Sequence, residues 1–204
     1  KAFSYLERLG NDLTSLNWAN IEKADGQFDF RLHDTRVIDA QEKCLYVLGT
    51  IDFSSVPEFA LQAGKHCNEE KYLRYLHAVV ERYDGDGTED MEGLVLPIKF
   101  WEIGNETLNK PMFDGTSADY AHILDISYKS IKENDPESYV LIGGWVTGGN
   151  SPELFQKSLD EFEIVLKNGG GVSFDIMNFH QYQDDCDFGT YQHVQGFKNI
   201  LAKF

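Results

Sequence analysis

The sequence predicts an α/β fold, and within that class a (β/α)8 TIM barrel. Short apolar runs alternate with amphipathic helical segments, which is typical of a parallel sheet covered by helices. No G-x-G-x-x-G motif follows an early strand, and Gly169-Gly170-Gly171 precedes a strand instead of opening a helix, so a nucleotide-binding open sheet loses its main support. The informative polar and aromatic residues follow the strands, where a barrel has its active site, and this favours the barrel.

Five runs are predicted to form strands. Their β-branched and apolar content is that of strands buried in a sheet, and the run nearest the start of the chain is the least clear of them. The predicted strands cover residues 45–51, 98–103, 139–143, 174–179 and about 12–18.

Amphipathic spacing predicts five helices between and after these strands. One begins after Asn68, a favoured N-cap residue, and ends before Gly85. Another opens with Ser151 and Pro152, an N-cap residue followed by proline at the first helical position. The predicted helices cover residues 31–42, 68–83, 117–134, 151–162 and 191–204.

The composition narrows the classes of partner. Thirty-four acidic and 18 basic residues give a net charge of −16, which repels nucleic acid and anionic membrane surfaces. No apolar run reaches the length of about 18 residues that a membrane-spanning helix needs. We therefore expect neither nucleic acid nor a membrane as partner. The acidic surface is either a solvated face or a preference for neutral ligands such as sugars.

Neither the cysteines nor the acidic loop predicts a metal site or another cofactor. The three cysteines are widely spaced and form no C-x-x-C pair, which argues against a zinc site or a disulfide framework. In the loop 84–90, Asp84 and Asp86 fit the first and third positions of an EF-hand loop. However, Glu89 stands where that loop needs glycine, and Val95 where it needs glutamate. A glycine-rich turn is the preferred interpretation, with calcium binding as the alternative.

The end of the central predicted strand carries the strongest chemical signal. Asn105 and Glu106 follow the apolar run and Gly104, where the active site of a barrel opens. A partly desolvated carboxyl group there favours its neutral form and could protonate a leaving oxygen, while the amide of Asn105 could hold a substrate hydroxyl. The alternative is that this pair only caps a loop or begins a helix.

The segment Lys99-Phe-Trp-Glu-Ile-Gly-Asn-Glu106 resembles the strand-4 signature of the clan A glycoside hydrolases, retaining enzymes with a (β/α)8 barrel. Its spelling is most like that of families 39 and 51, then family 5. The resemblance implies that Glu106 is the general acid/base and that Asn105 binds the sugar 2-hydroxyl. It further implies that residues 1–204 form one partial catalytic domain, from about strand 2 to helix 6. The nucleophile, at the end of strand 7, then has no counterpart in this chain.

Two further segments agree with this resemblance. The segment Asn178-Phe-His-Gln-Tyr182 is similar to the His-x-Tyr element at the end of strand 6. It implies that His180 lines the sugar pocket and that Tyr182 contacts the nucleophile, although His180 could instead be a buried histidine satisfied by the backbone. The stretch 18–30 is similar to the strand-2 loop, in which we expect Glu22 to be structural.

Two residues follow strands at positions where sugar subsites form. These are Asp52 and Trp145. The ring of Trp145 is either a platform on which a sugar stacks or a core-filling aromatic. Trp101 lies within its strand and is expected to pack in the core.

The leading hypothesis is a retaining glycosidase that cleaves β-linked oligo- or polysaccharides by double displacement. The alternatives are an inactive carbohydrate-binding remnant of such a barrel and an α/β protein with an unrelated small-molecule site. Because a partial barrel leaves two open sheet edges, we expect a second chain or a further segment to complete it. Polysaccharide hydrolysis favours a secreted or cell-surface location.

Overall fold

The structure is a computed structural model, and it describes residues 6–8, 15–110, 112–149, 151–169, 171–181 and 186–204. For residues 6–8 and 186–189 it describes the backbone alone. The strands are β1 (Leu6–Arg8), β2 (Leu16–Asn17), β3 (Glu22–Ala24), β4 (Gln27–Phe28), β5 (Tyr46–Asp52), β6 (Phe100–Ile103), β7 (Tyr139–Ile142), β8 (Trp145–Val146) and β9 (Phe179–His180). The helices are α1 (Trp18–Ile21), α2 (Arg31–Glu42), α3 (Glu69–Tyr83), α4 (Ser117–Asn134), α5 (Pro152–Asn168) and α6 (Cys186–Leu201).

The central sheet is parallel and has the order β1-β5-β6-β7, with β2 also paired to β5. Strand β1 aligns with the first half of β5 and β2 with its last two residues, so these short segments lie in line along one edge. Beyond β7, a bridge from Leu141 to Ile176 and the parallel pairing of β8 with β9 continue the arrangement. Parallel strands that lie side by side in chain order and are joined by helices are the arrangement found in a (β/α)8 barrel.

Helices α3 and α5 begin where local capping signals predict them, whereas α6 begins at Cys186, before the predicted start at residue 191. Asn68 caps α3 by accepting a hydrogen bond from the backbone N–H of Lys71, and Ser151 caps α5 in the same way. Helices α2, α3 and α4 agree with the predicted ranges. Helix α5 continues beyond the predicted end at residue 162, because Val165 and Leu166 extend its buried face. No helix among the described residues is long and apolar enough to cross a membrane.

The predicted strand 174–179 is wrong over most of its length. Only Phe179–His180 forms a regular strand, preceded by the isolated bridge at Ile176. The carboxylate of Asp175 accepts a hydrogen bond from the backbone N–H of Val140 at 2.8 Å, while Asp175 and Ile176 both donate to the carbonyl of Val140. A side chain therefore replaces part of the backbone ladder. The least clear of the predicted strands covers residues 12–18. Strand β2 lies within this range, and residues 12–14 lie outside the described part of the chain.

The main core lies between the sheet and the helices. Side chains that point to this layer are buried, and each contributes roughly 1.5–3 kcal/mol by leaving water: Val47, Ile51, Trp101, Ile103, Val140 and Ile142. Trp101 fits there because Gly49 lies opposite, where an added Cβ would come within 2.7 Å of its ring. The prediction that Trp101 packs in the core is confirmed.

The other face of the sheet is the interior side of the barrel. Thr50, Glu102 and Leu141 are register neighbours on this face and form one layer across β5, β6 and β7. At the far end of the same face, Tyr46 and Tyr139 are each 49% exposed. Large aromatic rings on an interior face would be covered in a closed barrel, so this exposure marks the barrel as incomplete in this chain.

Candidate active site

Polar side chains gather at the carboxyl ends of the parallel strands. Asp52 ends β5, Asn105 and Glu106 follow β6, and His180 ends β9. Because neighbouring parallel strands end at the same edge, residues far apart in sequence meet there. The structure thus brings four of the predicted site residues to one edge of the sheet.

The backbone turns sharply where it leaves β6. Gly104 has φ +73°, and Glu106, which is not glycine, has φ +46°. An added Cβ at Gly104 would lie 2.8 Å from the ring of Phe53, so glycine is required there for space as well as for conformation. A left-handed conformation at a residue other than glycine costs on the order of 1–3 kcal/mol and persists only where its surroundings hold it. This turn directs Glu106 across the strand ends.

The carboxylate of Glu106 contacts two hydrogen-bonding side chains. Nδ1 of His180 lies 2.8 Å from Oε1, and Nδ2 of Asn109 donates to Oε2 at 2.7 Å. The side chains of His180 and Glu106 are 17% and 19% exposed, so both are largely desolvated but still reachable. When Glu106 is ionised, His180 donates from Nδ1; when Glu106 carries the proton, it can donate to Nδ1 instead. The pair can therefore hold a proton at either end.

Asn105 lies beside this pair, and Gly144 holds the two sides of the cluster together. An added Cβ at Gly144 would lie 2.7 Å from Cε1 of His180 and 3.0 Å from Oδ1 of Asn105. The backbone after β7 thus packs directly against both side chains, and Gly144 has φ +40°. Asn105, Glu106 and His180 therefore form one compact group, which we call the Glu106 cluster.

Asp52 lies on the rim of this group. Its carboxylate accepts hydrogen bonds from Oγ of Ser15 at 2.9 Å and from the backbone N–H of Ser54 at 2.8 Å. Asp52 and Asn105 line the same crevice, with a volume of about 20 Å³. On the other side, Thr107 and Asn109 line a larger cavity of about 450 Å³ that reaches to α5. That volume lies within the range of small-molecule sites.

Tyr120 of α4 fixes the ends of β6 and β7 from behind the cluster. Its hydroxyl donates to the carbonyl of Ile103 at 2.9 Å and accepts from the N–H of Gly143 at 2.8 Å. Burial raises the pKa of Tyr120 well above its usual value, so the hydroxyl keeps the proton that it donates. Gly143 fits this junction because an added Cβ would lie 2.2 Å from the carbonyl oxygen of Ile103.

Glu102 received no role from the sequence, although it lies one layer below the cluster. Its residue is fully buried, and its carboxylate accepts hydrogen bonds from Oγ1 of Thr50 at 2.8 Å and Nδ2 of Asn178 at 2.5 Å. A buried carboxylate needs such partners, because its desolvation is otherwise very costly. A charged residue in the middle of an apolar strand was the available signal.

The comparisons with known proteins bear on the fold. No family model and no curated protein matches the sequence. Among solved structures, a glucosidase from Croceicoccus marinus superposes with TM-score 0.63 at 21% identity, over 96% of this chain and 40% of its own. A glycosylated family 10 endo-beta-1,4-xylanase from Gloeophyllum trabeum has TM-score 0.63, 13% identity, and coverage of 94% and 59%. Xylanase 10B from Thermotoga petrophila RKU-1, solved with xylobiose, has TM-score 0.63, 11% identity, and coverage of 96% and 58%.

The fold is a TIM barrel. The TIM-barrel prediction is confirmed, and these structural neighbours are glycoside hydrolases. This chain spans between 40% and 59% of their lengths, which agrees with a TIM barrel that is incomplete in this chain. At identities of 21% and below, the likeness concerns the fold and not the chemistry.

The interpretation of Trp145 as a platform on which a sugar stacks is wrong. Trp145 is fully buried, and its Nε1 donates to Oγ of Ser158 at 3.0 Å on α5. Its ring centroid lies 5.7 Å from that of Phe162. The side chain lies on the helix side of the sheet, so neither ring face is available to a ligand. The core-packing alternative is the one that the structure supports.

Two other expectations have different outcomes. Tyr182 lies outside the described residues, so its predicted contact with a nucleophile stays a prediction. The structural role of Glu22 is confirmed, because its buried carboxylate accepts hydrogen bonds from Nε1 of Trp18 at 2.6 Å, from the N–H of Gly26 at 2.7 Å and from Arg74. These bonds fasten the loop after β2 to α3.

Proposed function

We propose that this protein is part of a retaining glycoside hydrolase that cleaves β-linked oligo- or polysaccharides, with Glu106 as general acid/base. The observation that carries the proposal is the placement of the Glu106 carboxylate at the carboxyl end of β6, within hydrogen-bonding distance of His180 and Asn109. A group with this task must exchange a proton with the leaving oxygen and then with water. The Glu106–His180 pair can hold a proton at either end, as that task requires.

The neighbouring residues take supporting roles in this proposal. Asn105 holds a sugar hydroxyl, which the resemblance to clan A families 39 and 51 gives as the 2-hydroxyl. His180 orients Glu106 and lines the sugar pocket, and Tyr182 contacts the nucleophile. Asp52, on the rim beside Asn105, contacts a more distant part of the substrate.

The second carboxylate of the mechanism belongs to the part that completes the barrel. In a retaining enzyme the two carboxyl groups lie about 5 Å apart, so the nucleophile would come from the end of strand 7. A further segment or a second chain would close the sheet. The exposure of Tyr46 and Tyr139 on the interior face supports this completion.

The test is Glu106→Gln in the protein with its barrel complete. Turnover of substrates with poor leaving groups should fall about 10²–10⁴-fold, because they need a proton from Glu106. For aryl glycosides with strongly activated leaving groups, the rate of the first step, cleavage of the glycosidic bond, should stay the same. The matched control is Glu153→Gln, an exposed residue in the first turn of α5, which should leave both rates unchanged. Equal loss on both kinds of substrate would rule out the acid role.

A carbohydrate-binding remnant is the second candidate. The observation that favours it is that the described Glu106 cluster lies on a chain spanning only 40% of the glucosidase and 59% of the xylanase that it matches. It predicts that titration calorimetry detects an oligosaccharide bound at this cluster and that no hydrolysis accompanies binding. Loss of that heat in an Asn105→Ala variant would place the ligand at the cluster.

A further inference from the structure

A group of acidic residues lies at the opposite end of the barrel from Glu106. It belongs to the connection between α3 and β6, which begins after Tyr83. The backbone N–H of Ile98, just before β6, donates to the carbonyl of Tyr83 at 2.8 Å, and Met91 donates to Arg82 at 2.8 Å. The connection is thus fastened to the end of α3, at the face where the strands begin.

Three carboxylates of this connection converge on one point. One oxygen from each of Asp84, Asp86 and Asp90 lies within 4.8 Å of the others. The backbone curls around them because Gly85 and Gly87 have φ +76° and +94°. Both glycines donate backbone hydrogen bonds to the carboxylate of Asp90, at 3.0 Å and 2.8 Å. Each carboxylate oxygen that accepts one such bond keeps a second lone pair for another partner.

Asp84 supplies a separate observation that points to a ligand. The residue is 1% exposed, and its Oδ2 is buried without a hydrogen-bond partner among the described residues. Its Oδ1 accepts only a long bond from the N–H of Asp86, at 3.3 Å. A buried polar atom without a partner costs about 1–3 kcal/mol, and more when it is charged.

No basic side chain in the described part of the chain compensates these charges. None of the ion pairs among the described residues involves Asp84, Asp86 or Asp90. The nearest arginine in sequence, Arg82, is paired with Asp34. Among the described residues, the group therefore has three converging carboxylates, one of which has a buried oxygen without a hydrogen-bond partner, and no basic side chain paired with it.

We propose that Asp84, Asp86 and Asp90 bind one calcium ion. All three donors are carboxylate oxygens, which hard cations prefer, and the group contains no histidine or cysteine that would favour zinc. Ligands on opposite sides of Ca²⁺ lie about 4.6–5.2 Å apart, so the observed spread fits around a single ion. Ca²⁺ also accepts six to eight ligands in flexible geometry, whereas Mg²⁺ demands a near-ideal octahedron. Water and loop carbonyls complete the shell, since Asp86 is exposed.

This site differs from the EF-hand loop with which the sequence of residues 84–95 was compared above. Glu89 and Val95 take no part in it, so the failure of the EF-hand pattern does not count against it. The bound ion would supply the missing partner of Asp84 and fix the connection that leads into β6. Its expected affinity is weak, with Kd about 0.1–1 mM, because only three protein carboxylates contribute.

The test is calorimetric titration of the chelator-treated full chain with CaCl2 and, separately, with MgCl2 at equal ionic strength. We expect one Ca²⁺ per chain and a melting temperature that rises with Ca²⁺ concentration. Asp86→Asn removes the negative charge and one oxygen of an exposed ligand without disturbing the core and should weaken Ca²⁺ binding by about tenfold or more. The matched control is Glu92→Gln, which removes the same charge two residues beyond Asp90 and should leave the affinity within about twofold.

Three results would overturn the proposal. The first is the absence of both heat and a thermal shift in millimolar CaCl2. The second is binding of Mg²⁺ as tight as that of Ca²⁺. The third is equal weakening by Asp86→Asn and Glu92→Gln, which would indicate a diffuse acidic surface instead of a site. None of these outcomes depends on sugar hydrolysis, so the glycosidase proposal and the calcium proposal fail independently.

Discussion

Replacing Glu22 with glutamine tests whether one buried carboxylate holds the loop after β2. The Glu22 side chain is fully buried, and it accepts hydrogen bonds from Trp18, Gly26 and Arg74. Glutamine keeps the size of the side chain but turns one acceptor oxygen into a donor. That NH2 group must then face either the indole N–H of Trp18 or the backbone N–H of Gly26, and one of these donors loses its partner.

The magnitude follows from these contacts. A hydrogen bond to a charged group contributes about 1.5–3 kcal/mol, and Glu22→Gln loses one such bond and weakens the other to a neutral one. The ion pair adds less than about 1 kcal/mol, because Arg74 is 38% exposed and keeps Asp25 as a second partner. The expected loss is therefore about 2–4 kcal/mol, out of the 5–15 kcal/mol that is usual for a domain.

The assay is urea unfolding followed by far-UV circular dichroism. The free energies of wild type and variants are compared with one common m value, the slope of the unfolding free energy against urea concentration. The matched control is Asp25→Asn, which removes the other carboxylate bound to Arg74 but lies at a half-exposed position, 48% accessible. It should cost clearly less than Glu22→Gln, because an ion pair that solvent reaches contributes little to stability. A loss below about 1 kcal/mol for Glu22→Gln, or equal losses for the two variants, would refute the reasoning.

Two further predictions concern the acidic loop and the end of β7. Because the folded protein raises the pKa of Asp84 from 3.8 to about 6, its contribution to stability is fully present below pH 3.8 and is lost as the pH rises through about 6. In chelator-treated protein, Asp84→Asn should remove this loss of about 3 kcal/mol. Urea unfolding across this pH range measures it, and an equal decline in the unfolding free energies of wild type and variant would contradict the prediction. Gly143→Ala places a Cβ 2.2 Å from the carbonyl oxygen of Ile103 and should cost about 1–3 kcal/mol. Gly169→Ala, with 3.3 Å to the nearest atom, is the control and should cost clearly less in the same assay.

Local signals made most of the fold predictable. Helices α3 and α4 begin at capping side chains, α2 depends on apolar spacing alone, and the predicted ranges of all three agree with the structure. The predicted strand 174–179 failed because the carboxylate of Asp175 replaces a backbone partner of Val140. Such a competition between side chain and main chain leaves no periodic signal in the sequence.

The contact between Glu106 and His180 was predictable only through the fold class. Glu106 and His180 are 74 residues apart, and their contact follows from both lying at the carboxyl ends of strands in one barrel. The position of Trp145 could not be read in this way. Gly144, with φ +40°, lies between Trp145 and β7. The alternation of side chains along a strand does not predict which face of the sheet a side chain takes after such a residue.

The hydroxyl of Tyr120 joins the carbonyl of Ile103 to the N–H of Gly143 in place of a direct hydrogen bond between their strands. A helix side chain therefore sets the gap between β6 and β7, and with it the direction in which the following residues leave the sheet. The direction of the Glu106 side chain thus depends on a residue of the outer helix layer, Tyr120, which lies behind the strand ends. A change in the packing of α4 is therefore expected to change the direction of the Glu106 carboxylate.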